Sequence, residues 1–191
     1  MRQAAPPPYA EFAVTTNFSF LRGASDPEEL VLRAKQLGLS GIGIADRNSV
    51  AGVVKAFNMA KAQDMRLAVG ARLIFADGTP DILAYPSDRT AWGRLTRLLS
   101  RGKLRAEKGD CILYLSDLLE WIEGLNLIVM PPARSDAQKI STLLARLKQH
   151  ASKQSIWLAT GFLYRGDDYR RMRKIADIAQ ENSIPLIATN D

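Results

Sequence analysis

Seven short apolar runs punctuate the chain, and most are separated by stretches whose apolar residues recur at helical spacing. The runs are YAEFAV (9–14), GIGIAD (41–46), RLAVGARLIFA (66–76), DILAYP (81–86), LNLIVM (125–130), SIWLAT (155–160) and IPLIAT (184–189). Helices are expected over 25–39, 50–64, 87–103, 135–151 and 167–183, where residues such as Leu30, Ala34 and Leu37 fall on one face. Repeated βα units of this kind build a parallel sheet. The spacing predicts a capping box of Ser25 with Glu28, with Pro27 in the first turn and Gly38 at the helix end. Residues 104–124 carry a mixed pattern that fits no single element. The phosphate-binding fingerprints G-x-G-x-x-G and G-x-x-x-x-G-K-[ST] are absent. A barrel of βα units is therefore expected in preference to an open doubly wound sheet.

Composition narrows the function classes. A chain of 191 residues with 47% hydrophobic content suffices for one sizeable core. One cysteine, Cys111, excludes an intrachain disulfide framework and a cysteine-rich zinc site. The formal net charge of +6 favours anionic partners, nucleic acid first. Residues 1–8, rich in proline, read as a flexible leader, and residues 9–191 as one domain. The leader lacks the apolar core of a signal peptide, and no run approaches bilayer length, so a soluble cytoplasmic protein without membrane contact is expected. The chain ends directly after a strand, which reads as a piece of a longer protein.

In parallel barrels the site lies at the C-terminal strand ends. Those ends are Ala13 to Asn17, Asp46 to Asn48, Arg72, Pro86, Met130, Gly161, and Asn190 with Asp191. Asp46 and Asp191 are expected to face one rim, with Arg47 and Arg72 beside them. Two carboxylates against two guanidiniums make a poor site for a divalent cation, because arginine stays charged and repels it. The two aspartates are expected to pair with arginines or to cap helices. Cys111 reads as a structural thiol and the single histidine, His150, as a solvent-facing helix residue. Arg94, Arg97, Arg101, Lys103, Arg105 and Lys108 lie within fifteen residues. The first three share a helix face. Such a row fits weak, non-specific, salt-sensitive DNA contact, or equally a solvated face or a contact with further domains of a longer chain.

The stretch YAEFAVTTNFSFLRGASDPEELVLRAKQLGLSGIGIADRNSVAGVVKA resembles the opening of a PHP (polymerase and histidinol phosphatase) domain. With LAVGARL, LLSRGKLRAEKG and the terminal IPLIATND, it is similar to the PHP domain of bacterial C-family DNA polymerases. NFSFLRGAS, ADRNSVAGVV and RAEKGDC resemble the error-prone, damage-inducible branch. The resemblance implies a distorted seven-stranded βα barrel. It also implies a longer chain engaged in translesion synthesis, damage-induced mutagenesis and DNA repair. Palm, thumb and fingers would follow in cis, with Mg2+ held only in that palm. By the same resemblance, an inactive Y-family-like protein and a recombinase-like accessory are the expected partners.

Metal-binding relatives carry His-x-His where this chain has Ala13 and Thr15. Their Thr-Asp-His is Ala45, Asp46 and Arg47 here. A glutamate becomes Arg72, and an acidic loop residue becomes Arg22. Asp191 matches a late aspartate. The resemblance thus implies a degenerate metal site, no catalytic residue, no cofactor in this stretch and a scaffold role. Two other readings stand beside it: a metal-dependent phosphoesterase or 3′–5′ exonuclease with an unusual ligand set, separable by metal analysis, and a standalone protein- or DNA-binding adaptor, separable by the length of the reading frame.

Overall fold

The computed structural model describes residues 7–133, 136–151 and 155–191. Most of the expected leader, residues 1–6, lies outside them. Seven strands are present: β1 (Ala10–Val14), β2 (Gly41–Arg47), β3 (Leu67–Leu73), β4 (Ile82–Pro86), β5 (Leu125–Val129), β6 (Ile156–Thr160) and β7 (Leu186–Ala188). The helices are α1 (Pro27–Gln36), α2 (Val53–Ala62), α3 (Arg89–Arg105), α4 (Leu115–Glu120), α5 (Ala137–His150) and α6 (Asp168–Glu181). The mixed stretch after α3 resolves into a loop and the short α4.

The strands form one sheet in chain order, β1 to β7. It is not all parallel, as the sequence had implied. β4 runs antiparallel to both β3 and β5. The connection between β3 and β4 is too short for a crossover helix, so the chain must reverse there. Pro86 therefore pairs with Leu125, the first residue of β5, and lies at the end of the barrel opposite the expected rim. The capping box also sits one residue later than expected. Asp26 is the N-cap of α1 and Glu29 reaches back to it, with Pro27 opening the helix and Gly38 at positive φ beyond its end.

Curling brings side chains from every strand into one interior cluster. Ala45, Leu83, Tyr85, Ile128, Met130 and Ala159 form it, with Phe12, Ala13, Ala68, Trp157 and Ile187 packed on it. The Tyr85 hydroxyl crosses to donate to the Phe12 carbonyl, and the two rings meet edge to face at 5.7 Å. Gly43 and Gly70 leave room for that ring: a Cβ on Gly70 would stand 2.7 Å from it. Outside, Ile42 and Ile44 pack on α1 and α2, while β3 to β6 pack on α3 to α6. β1 and β7, the ends of the sheet order, are joined by a side chain. Buried Glu11 accepts from the Thr189 hydroxyl and the Asn190 amide, each at 2.8 Å, and from the Ala13 amide at 2.7 Å.

Candidate functional site at the barrel mouth

Side chains alternate across a strand, so strand parity decides what reaches the mouth. On β2, Ala45 faces the interior, which sends Arg47 inward and Asp46 outward. On β3, Ala68 faces inward and Arg72 shares its side. On β4, Leu83 and Tyr85 face inward, and Asp81 precedes them in the same phase. Arg47, Arg72 and Asp81 therefore converge.

Arg72 is the centre of this group. Its Nε donates to Asp81 at 2.8 Å and its Nη1 donates to Asp191. Arg47 lies 3.7 Å from Asp81. Burial works against the Arg72 charge, but Asp191 and Asp81 outweigh it and hold the guanidinium above its ordinary value. Arg47 goes the other way: burial lowers its pKa, and neighbouring Arg22 and Arg72 add to that against the pull of Asp81. Beside the group opens a cleft of about 460 Å³, lined by Arg72, Asp81, Met130, Arg165, Arg171 and Asp191 among others.

Asp46 does not share this mouth, contrary to expectation. It is buried on the outer side under the β1–α1 loop. The Thr16 amide donates to it at 2.9 Å, the Ser19 hydroxyl at 2.7 Å, and the Thr16 hydroxyl lies 2.9–3.0 Å from both its oxygens. Ser19 Oγ also accepts from the Arg47 amide at 2.9 Å. Asp46 thus neither pairs with an arginine nor caps a helix; it folds the loop back onto β2. Ala13 packs on the interior cluster, Thr15 is half-buried and Arg22 is exposed. The residue that sequence reasoning missed is Asp81. Its signal was the turn between β3 and β4, which reverses the chain and puts the start of β4 at the mouth.

Divalent-cation chemistry does not fit this donor set. Among the described residues no group of three or more His, Cys, Asp and Glu side chains converges, and both mouth carboxylates are bonded to a guanidinium.

The basic row on α3 is largely neutralised from within. Arg94 pairs with Glu123 at 2.6 Å, and Arg101 with Glu120. Arg105 forks onto both oxygens of Asp117 at 2.7 and 2.9 Å. Arg97 lies over the Trp121 ring at 5.8 Å. Lys103 and Lys108 are exposed, without a charged partner among the described residues. Cys111 is half-buried, and burial raises its pKa, as suits a structural thiol. His150, the last residue of α5, is exposed and hydrogen-bonds the Arg146 carbonyl.

The sequence profile of the PHP domain matches residues 11–177. The chain is 52% identical over 189 residues to an error-prone DNA polymerase of Rhodopseudomonas palustris (strain BisB5), covering 97% of this chain and 17% of that one. It is 52% identical over 184 residues to error-prone DNA polymerase 1 of Rhizobium meliloti (strain 1021), covering 96% and 16%. The chain thus spans about a sixth of the length of the curated relatives it matches. In structure it is similar to a candidate metal-dependent phosphoesterase of Bifidobacterium adolescentis, with a TM-score of 0.72, 14% identity and coverage of 97% of this chain and 88% of that one. That likeness supports the barrel fold. No helix among the described residues is long and apolar enough to cross a membrane.

Proposed function

The chain belongs to the PHP domain family, and from that premise we propose that it is the N-terminal domain of an error-prone DNA polymerase and serves there as a non-catalytic scaffold. The observation that carries the scaffold reading is Arg72. It bonds Asp81 and Asp191 together with Arg47 beside them, so fixed guanidiniums offset the charge of the mouth carboxylates. Such a mouth holds its shape without a metal and ties up in ion pairs the carboxylates that could otherwise ligate one. The half-identical stretches shared with curated polymerases support the larger assignment.

On this reading nucleotidyl transfer belongs to palm, thumb and fingers in cis, with Mg2+ bound only in the palm. The inactive Y-family-like protein and the recombinase-like accessory are partners of that longer cytoplasmic protein. Any DNA contact along α3 and the loop that follows it falls to Lys103 and Lys108, is weak, and fades with salt.

Two measurements test the proposal. Elemental analysis after dialysis is expected to find well under one zinc, manganese or iron per chain, with no manganese- or zinc-stimulated phosphodiesterase or 3′–5′ exonuclease activity. A stoichiometric metal with either activity would favour the metallophosphoesterase reading. Primer extension by the protein read from the complete reading frame tests the polymerase part. A frame ending near this domain would leave the standalone adaptor.

A further inference from the structure

The loop between β6 and α6 and the first turn of α6 display aromatic rings that the barrel does not use. Tyr164 and Tyr169 are 88% and 81% exposed, and Phe162 between them is 38% exposed. Both tyrosine rings meet Phe162 at steep angles, 80° and 75°, with centroids 5.0 and 5.4 Å away. Neither is stacked face to face, so a planar partner can still lie on them. A shallow depression of about 280 Å³ runs among the three rings.

This display is built. Buried Asp168 accepts from the Leu163 amide at 2.8 Å and from the Arg165 amide at 2.7 Å. Arg171 ties Asp168 to the Gly161 carbonyl. The turn so clamped holds Tyr164 at φ +56°, a conformation that a bulky residue rarely adopts. Strain of this kind persists only where the surroundings enforce it. Here a buried carboxylate enforces it, and the result is a tyrosine aimed at solvent.

The charge around the rings selects the partner. Arg165, Arg170 and Arg173 are exposed and have no carboxylate partner among the described residues. This is the reverse of α3, where carboxylates of the same chain neutralise the arginines. Exposed aromatic faces interleaved with free guanidiniums suit a polyanion with stackable bases. A duplex hides its base faces, so only an unpaired strand satisfies both features. We infer that the β6–α6 loop and the start of α6 form a docking platform for single-stranded DNA, whose bases stack on Tyr164 and Tyr169 while Arg165, Arg170 and Arg173 meet its phosphates. The choice of DNA over RNA rests on the polymerase reading; the stacking does not.

The test is fluorescence anisotropy with labelled (dT)20, a matched (rU)20 and a 20-base-pair duplex, on this chain and on the longer polymerase. Tyr164→Gly/Tyr169→Ala removes both rings, and glycine accepts the positive φ. Loss of about tenfold in (dT)20 affinity per ring is expected, with Tyr169→Phe near wild type. Arg170→Gln/Arg173→Gln should flatten the log–log salt slope by about 0.7 for each phosphate no longer neutralised. Circular dichroism of each variant checks the fold. Wild-type (dT)20 affinity in the ring-deleted variant overturns the platform and assigns the rings to a protein contact. Duplex binding as tight as (dT)20 overturns it as well, and (rU)20 binding as tight as (dT)20 overturns the choice of DNA over RNA. Primer extension by the longer chain reports separately on the polymerase reading, so the platform can fail while that reading stands.

Discussion

Arg72 carries two carboxylates, and that load sets what its loss would do. Its side chain is 16% exposed, against 26% for Asp81 and 41% for Asp191. The group is neither sealed nor fully wet, so the cost lies between the limits for buried and surface pairs. Arg72→Ala should lower stability by about 1–3 kcal/mol in urea unfolding, the range for polar groups left without partners. Arg72→Lys should recover only part of it, because a single ammonium nitrogen lacks the planar fork whose separate Nε and Nη1 reach two different carboxylates. At this scale the sequence was half legible. The presence of arginine at the mouth followed from its place near a strand end. One partner, Asp191, followed from the same reasoning; the other did not, because Asp46 and Asp81 exchange roles. Asp46 is one residue out of phase with the mouth, and Asp81 reaches it only because β4 is reversed.

Element boundaries were mostly legible from periodicity, and the misses share one cause. Where two candidates stood side by side, as with Ser25 and Asp26, spacing alone did not choose between them. The structure chooses Asp26, which also pairs with Lys55 on α2 at 2.8 Å. Likewise, seven apolar runs announced seven strands without announcing their directions; direction had to be taken from the length of each connection. The interior face of β3 shows how tightly the result is packed. A Cβ on Gly70 would lie 2.4 Å from the Ala84 carbonyl oxygen and 2.7 Å from the Tyr85 ring. Backbone on the adjoining strand cannot step aside as a flexible side chain can. Gly70→Ala should therefore destabilise the barrel by about 1–3 kcal/mol, the usual cost of overpacking, as read from the shift in thermal midpoint.

Across the whole molecule, several carboxylates are held in their charged form by folding, which fixes the direction of its acid response. Asp117 titrates below its ordinary value chiefly because Arg105 bonds to it, with the Tyr114 amide adding to this against the effect of burial. Asp168 is lowered chiefly by the Leu163 amide, and by Arg165 and Arg171 as well. A depressed native pKa gives stability that is complete above the unfolded value, near 4, and is lost as pH falls through the native one. The thermal midpoint should stay level from about pH 7 to 5 and drop below about pH 4. Asp117→Asn should start lower and lose less over that drop.

The clasp at Glu11 has a consequence in time. Every ladder of the sheet joins strands that are neighbours in the chain, so the sheet can grow by short closures from β1 to β7. The bonds from Glu11 to Thr189 and Asn190 instead span nearly the whole sequence, 178 and 179 positions. Contacts that distant incur the largest chain-closure cost and return only two hydrogen bonds, so they form after the rate-limiting barrier. Weakening the clasp with Glu11→Gln should leave the refolding arm of the chevron where it is and raise the unfolding arm, so the barrel would assemble as fast as before and come apart sooner.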